Sequence, residues 1–386
     1  MDSLSACKRL LPAFAPLAQQ CLANTTLNSC GGILEILKTR SSAIDSTGSK
    51  ECDRFKLGIP YCGIRIEWEV IFDRNHPAHP PDIIFSGDDE ELDFAPNIEQ
   101  LESLAKWSTL EDKALSSLLE ELMVEYRKHH LKILSQHQRY HFELSSLAQN
   151  EKYPEVYVLC RMCDAHPTEP EVRFYIPLQV DFATVPSYLT KNNPGPNSAS
   201  LLITFRPPDA SKVTTELYLS PRVERALGGS KTLRIPAWGG GNGSCLIDYV
   251  PVVHKMLEER VDSIVQSYVQ RKEYVAAMLS IFGASVLEYN TENFKTIAFL
   301  FEYQGFSFIT QVKMTDLYPT AAPNLIMCSI YHRTRSNPAT PCQCEVQNYP
   351  YSPRWSVDEK IERLRVYLIQ MVPQFMELTK TKGECL

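Results

Sequence analysis

Apolar side chains recur at spacings of three and four near the C-terminus, where Ile361, Leu364, Leu368, Met371, Val372 and Phe375 fall on one stripe of a helix. Ser356 precedes that stripe with Glu359 three positions on, the pattern of a reciprocal N-terminal cap, so Trp355 is the last residue expected outside the helix. Pro373 is expected to kink or end it, since an interior proline costs about 3 kcal/mol. The pattern occurs once before. Trp107 is followed by Ser108 and Glu111, then by Leu115, Leu118, Leu119 and Leu122 at helical spacing, which predicts a helix running past Tyr126 toward Tyr140.

Upstream of each tryptophan the period changes from helical to two. "IRIEWEVIF" (64–72) and "FSFITQVKM" (306–314) alternate as strands with one buried face. Each leads to a pair of prolines four apart, Pro77 with Pro81 and Pro319 with Pro323, and then to an apolar strand through Ile83, Ile84 and Phe85 or Leu325, Ile326 and Met327. The matching order is an internal repeat, one copy near each end of the chain. Between them "EVYVLC", "EVRFYIPLQVDF" and "SLLITFRPP" read as strands and "VPVVHKMLEERVDSIVQSYV" as a helix. This middle stretch has the same order of elements without the proline turn or the Trp-Ser start. The last copy opens with a further helix, "RKEYVAAMLSIFG", for which Gly283 is the expected left-handed stop, followed by strands "SVLEYN" and "KTIAFLFEY". The predicted division is 1–145, 146–270 and 271–386, each an antiparallel meander flanked by helices in an α+β fold.

A chain of 386 residues with 44% hydrophobic and 22% charged residues can bury a core in each region. The net charge of −7 and the lack of a basic patch argue against nucleic acid as a partner. No apolar run reaches the roughly 18 residues that span a bilayer, and the N-terminus lacks the order of a signal peptide, so no membrane is expected. The 12 cysteines are scattered without a disulfide framework, which fits reduced thiols. Cys160 with Cys163 and Cys342 with Cys344 are too far apart to share a zinc knuckle, and His130, His137 and His141 read as solvated helix positions. No metal and no cofactor is expected. "WGGGNG" (238–243) lacks the Gly-Lys-Ser/Thr of a phosphate loop, and no Gly-x-Ser-x-Gly supports a hydrolase.

One segment stands apart. "NYPYSPRW" (348–355) holds two prolines and three aromatic rings and no catalytic side chain. A helix, a meander, a Tyr-Pro-x-x-x-Pro turn into a fourth strand, a long loop, this knot and a helix together resemble the ubiquitin-conjugating enzyme fold. The last copy is similar to ubiquitin E2 variant (UEV/RWD-like) domains, with Tyr318-Pro319 and Pro350-Tyr351 to Trp355 matching their motifs. A conjugating enzyme needs a cysteine thiolate beside a His-Pro-Asn; none lies between Asp82 and Lys106, and Cys342 and Cys344 lack the His-Pro-Asn. No catalytic residue is expected.

Over nearly the whole chain, "CDRFKLGIPY", "PPDIIF", "LYLSPRVERALGG", "GGGNGSCLIDYVP" and "NYPYSPRW" resemble the BRE family of subunits of the BRISC and BRCA-associated deubiquitinase complexes. The resemblance implies a scaffold in a complex that cleaves lysine-63-linked ubiquitin chains. Its implied partners are a zinc-dependent JAMM-type deubiquitinase, the MPN pseudo-enzyme beside it and a von Willebrand-A-like adaptor, with ubiquitin a further candidate contact. It also implies a place in the cytoplasm and nucleus, in ubiquitin signalling tied to DNA damage, the cell cycle and apoptosis. The alternative is a stand-alone UEV-type receptor for ubiquitin or proline-rich peptides. For either, Tyr349, Tyr351 and Trp355 are the candidate partner-binding residues, rings held rigid beside a groove.

Overall fold

The computed structural model describes residues 3–24, 27, 32–42, 51–86, 94–163, 166–193, 195–208, 212–229, 233–239, 245–334 and 337–385. The chain forms two compact units, one of residues 1–181, 195–224 and 228–257, the other of 182–194, 225–227 and 258–386. The architecture is α+β, with antiparallel sheets and helices.

Two short helices open the first unit, α1 (Ser3–Cys7) and α2 (Ala15–Ala23). Pro16 lies in the first turn of α2, where its missing N–H leaves no helical bond unmade. An antiparallel sheet follows in the order β1 (Glu35–Arg40), β2 (Arg54–Tyr61), β3 (Ile64–Ile71), β4 (Asp82–Ser86). Cys62 and Gly63 join β2 to β3 at φ of 45° and 76°, the two-residue turn whose hand suits the strand twist. The predicted alternation in β3 buries Ile66, Trp68 and Val70.

After the short α3 (Glu102–Ala105) comes α4 (Ala114–Ser135), which buries Leu115, Leu118, Leu119, Leu122 and Tyr126 as the spacing predicts. Its start corrects the sequence reading. Ser108 accepts the Leu110 N–H in a turn, and Lys113, not Ser108, flanks the helix. Nothing between Ser108 and Lys113 packs on the core, Leu110 being 94% exposed, so helix formation waits for the apolar face that begins at Ala114. The helix also stops short of Tyr140. His137 turns the chain in extended conformation and α5 (Gln138–Ala148) begins anew. The six-residue step from Leu134 to Tyr140 fits no helical spacing, so a second axis is needed to bury Tyr140 and Leu147.

The second sheet of this unit runs β5 (Tyr157–Cys163), β6 (His166–Leu178), β7 (Ala199–Arg206), β8 (Lys212–Leu219). β8 was not read from the sequence, because none of its residues is fully buried and polar ones alternate with no clear period. β7 is buried on both faces. Leu202, with Leu159 and Tyr175, joins the core of the first sheet, and the Tyr61 hydroxyl donates to the Val158 carbonyl at 3.0 Å. Gly63 lies so close that a Cβ there would sit 2.6 Å from Leu202. In sequence, the short α6 (Ser187–Thr190) lies between β6 and β7 and belongs to the second unit, and the short α7 (Pro221–Ala226) follows β8.

The two helices expected on either side of Arg271 are one, α8 (Leu246–Phe282), of 37 residues. No glycine or proline occurs from Val252 to Phe282, and Val261, Ser267, Arg271, Tyr274, Val275 and Met278 continue a single buried stripe. Gly283 is not in a left-handed conformation; it begins a 3-10 turn, Gly283–Ser285.

In the second unit the sheet order is β13 (Asn337–Val346), β12 (Asn324–Thr334), β11 (Phe306–Lys313), β10 (Thr296–Tyr303), β9 (Val286–Tyr289), with β14 (Gly383–Cys385) also paired to β12. Gln304 and Gly305 close the β10–β11 hairpin at φ of 50° and 77°, the same turn as between β2 and β3. Ile297, Phe299, Phe308, Val312, Leu325 and Met327 face Tyr274 and Met278 of α8 and Ile361, Leu364, Leu368, Val372 and Phe375 of α9 (Val357–Lys382). Pro373 neither ends α9 nor keeps it from reaching Lys382, because Phe375 and Thr379 beyond it stay buried and hold that last stretch on the core. The long loop expected before α9 contains β13. Pro338 and Pro341 hid that strand, and they are tolerated because it lies at a sheet edge.

Candidate functional site

The site is built on the turn between β11 and β12, where Tyr318 is buried and its peptide bond to Pro319 is cis. From β13 the chain turns at Asn348, whose φ of 58° is a left-handed conformation that asparagine tolerates better than most residues. It then passes over that turn as a strap. The Tyr349 hydroxyl donates to the Pro323 carbonyl at 2.8 Å, and the Tyr351 hydroxyl to the Pro319 carbonyl at 2.5 Å. The two rings meet edge to face with centroids 6.2 Å apart. One tyrosine thus clamps each proline of the Pro-x-x-x-Pro pair.

Two helices complete the clamp. From α9, Lys360 is only 6% exposed and places its ammonium 5.6 Å from the ring centroids of both Tyr318 and Tyr351. Desolvation lowers its pKa, and the π faces offset part of that cost. From α8, Ser267 Oγ lies 2.9 Å from the carbonyl oxygens of Asp316 and Tyr318 and accepts from Arg271 at 2.8 Å. The guanidinium, 1% exposed as a residue, also donates to the Asn293 carbonyl and the Tyr188 hydroxyl, each at 3.1 Å. Burial pushes the phenols of Tyr349 and Tyr318 up, and that of Tyr351 up to about 12, so all three are neutral at physiological pH.

Tyr349 and Tyr351 are therefore brought together, half-buried, with both hydroxyls committed to the backbone beneath. Trp355 sits apart at the head of α9, its ring covered by the Arg363 guanidinium at 4.0 Å, and among the described residues no ring contact joins it to the tyrosines. Ser356 accepts the Glu359 N–H at 3.2 Å as the sequence predicts, but Glu359 turns outward to Arg363 at 2.9 Å, so half of the expected reciprocal cap is made. The sequence reading missed Lys360, Arg363 and Arg271. Lys360 lies in the register of the buried stripe, next to Ile361, and that position was the available signal.

The described thiols of this unit are largely withdrawn from solvent. Cys342 is buried on β13, Cys344 is half-buried opposite Met327 of β12, and burial raises the pKa of Cys328. Elsewhere, His130 is a buried core residue, which corrects its reading as solvated, whereas His137 is half-exposed and His141 exposed. Cys160 is buried and donates its N–H to His130, and the side chain of Cys163 lies outside the described residues. Trp238 of the glycine-rich segment packs on Tyr249 and Phe205, while residues 240–243 lie outside the described residues.

The class defined so far is an α+β chain of antiparallel sheets carrying a clamped aromatic and proline knot. A family model described as Brain and reproductive organ-expressed protein (BRE) matches residues 8–333, and the chain belongs to that family. It is 38% identical over 382 residues to "BRISC and BRCA1-A complex member 2" of Branchiostoma floridae, covering 98% of each chain. It is 36% identical over 395 aligned positions to the protein of the same name from Danio rerio, covering 100% of both.

Proposed function

We propose that this chain is a non-catalytic scaffold subunit of a lysine-63-specific JAMM-type deubiquitinase complex of the BRISC and BRCA1-A kind. It joins the deubiquitinase and its MPN pseudo-enzyme partner to a von Willebrand-A-like adaptor, in the cytoplasm and the nucleus. The observation that carries this reading is full-length identity of 36–38% to two proteins named as members of those complexes. Similarity across both units favours a conserved assembly over a shared module. The burial of Cys342 and half-burial of Cys344 on β13 favour a subunit without conjugating activity.

On this reading the chain is a tandem of UEV-like regions, 1–145, 146–270 and 271–386. The paired hairpin turns at Cys62–Gly63 and Gln304–Gly305 favour a repeat at the two ends. The strap of Tyr349, Tyr351 and Trp355 marks the face that meets the adaptor, and the N-terminal region meets the deubiquitinase pair.

The test is reconstitution. The purified chain, mixed with the deubiquitinase, its pseudo-enzyme and the adaptor, is expected to co-elute as one species, and to show alone neither a ubiquitin thioester nor chain cleavage. Separate elution, or a reductant-sensitive thioester lost in Cys342→Ala or Cys344→Ala, would overturn the proposal. Capture of ubiquitin or a proline-rich peptide without any complex partner would favour the receptor instead.

A further inference from the structure

The connection between β3 and β4 reads "DRNHPAHPPD" from Asp73 to Asp82. It holds the Pro77–Pro81 turn, and it spaces an aspartate and two histidines three residues apart. The structure makes that spacing a cluster. The His79 N–H donates to the His76 carbonyl at 3.0 Å, closing a turn with Pro77 in its second position, where the fixed proline φ fits. Residues at the two ends of such a turn face one another, and the imidazole rings of His76 and His79 stack with centroids 5.3 Å apart and planes 13° from parallel.

Asp73 completes the group. One of its oxygens accepts the Asn75 N–H at 2.8 Å, and the other lies 2.8 Å from His76 Nδ1. Arg74, the cation between them in sequence, is drawn away to Glu51 at 3.7 Å and Ser41 at 3.4 Å. The candidate donor atoms of Asp73, His76 and His79 all lie within 4.8 Å of one another. Bonds of about 2.0–2.1 Å to a tetrahedral ion place donors roughly 3.3 Å apart. The remaining closure needs only rotation of three exposed side chains, with no core to disturb.

We propose that Asp73, His76 and His79 form a three-ligand site for a divalent transition ion of the zinc class. Two imidazoles and one carboxylate suit zinc, nickel or copper over calcium or magnesium, which favour all-oxygen sites. Exposure leaves a fourth position for water or for a donor from another chain, so the site suits a metal-bridged contact at the tip of the β3–β4 connection. It stands independently of the scaffold reading.

The experiment uses the full-length chain without a histidine tag, titrated with Co²⁺ and followed by calorimetry and visible absorption. One ion per chain is expected, with the absorption of nitrogen and oxygen ligands and no thiolate charge-transfer band. His76→Ala, His79→Ala and Asp73→Asn are each expected to weaken binding at least about tenfold, with the metal-free thermal melt unchanged because the side chains are exposed. Asp73→Asn can keep the acceptor for Asn75 while it removes the charge and the oxygen that faces His76. Absence of binding, a thiolate band, or affinity unchanged in the His76→Ala/His79→Ala double variant would overturn the site.

Discussion

Tyr351 donates its hydroxyl to the carbonyl of Pro319, 32 positions earlier in sequence, and so ties the strap before α9 to the turn before β12. The contact replaces water at a carbonyl that the strap covers. Tyr351→Phe removes the donor without removing the ring, so the carbonyl is left without its partner while the contact with Lys360 persists. A loss of about 1–2 kcal/mol in urea unfolding is expected. Tyr349→Phe is expected to cost a similar amount at Pro323, and the double variant to depart from additivity because both bonds hold one turn. If the phenylalanine variants unfold at the wild-type midpoint but lose the adaptor, the hydroxyls serve binding and not the clamp.

The two serines that look alike in sequence are expected to behave differently. Ser356 accepts the N–H of Glu359 as the cap of α9, so Ser356→Ala should cost about 1 kcal/mol. Ser108 sits in a turn several residues ahead of α4, and Ser108→Ala should stay within about 0.5 kcal/mol of wild type. Parallel chemical denaturation of the two variants decides it; equal losses would mean that Ser108 caps a helix in solution.

That contrast shows where the sequence was legible. Period-two patterns such as Ile64–Phe72 and period-three-to-four patterns such as Ile361–Phe375 located strands and helices, because a single buried face imposes its period on the residues that fill it. Edge and half-exposed strands such as β8 and β13 escaped, since an exposed edge accepts lysine, threonine and proline without a period. Helix ends were misplaced where tertiary burial outweighed local signals: Pro373 inside α9, and the unbroken α8 through Arg271. The tyrosines of the knot could be named from sequence, but their donor role could not, because their acceptors are backbone carbonyls, which every residue has. Asp73, His76 and His79 were visible only as spacing; the turn that brings them together is a property of the folded loop.

Glu143 gives a prediction with a pH sign. Its carboxylate, buried on α5, accepts the Leu246 N–H at 2.7 Å at the start of α8, where an acceptor is wanted. Desolvation raises its pKa, opposed in part by that N–H. A raised carboxyl pKa means that the stabilisation is complete below the unfolded value near 4.5 and is lost as pH rises through the folded value. Glu143→Gln keeps an acceptor without the buried charge, so it should match wild type in acid and equal or exceed its stability at pH 7. Glu143→Ala should lose about 1–3 kcal/mol throughout, because the N–H is then left without its acceptor. A Gln variant that is less stable at neutral pH by as much as the Ala variant would show that the charge itself is needed.

His130 has the opposite sign. It lies fully buried on α4, its Nδ1 accepts the Cys160 N–H at 3.3 Å, and its Nε2 is without a partner among the described residues. Tyr126 meets its ring edge-on at 4.4 Å and Tyr61 stacks on it at 6.1 Å, an environment that offers a second proton nothing to bond. Desolvation, with a smaller contribution from His129, depresses its pKa to about 3. The unfolded chain takes up that proton near pH 6.5 and the folded chain does not, so stability is complete above 6.5 and falls as pH drops toward 3. His130→Gln can keep an acceptor for Cys160 and removes the titration. Its stability relative to wild type should therefore improve steadily from pH 6.5 downward, by on the order of a few kcal/mol, while carboxylates that titrate in both proteins cancel in the difference. Urea midpoints measured for both proteins across that range test it. If the two curves run parallel, the proton that destabilises the fold in acid binds elsewhere, and the Tyr61–Tyr126–Cys160 pocket does not exclude charge as its geometry implies.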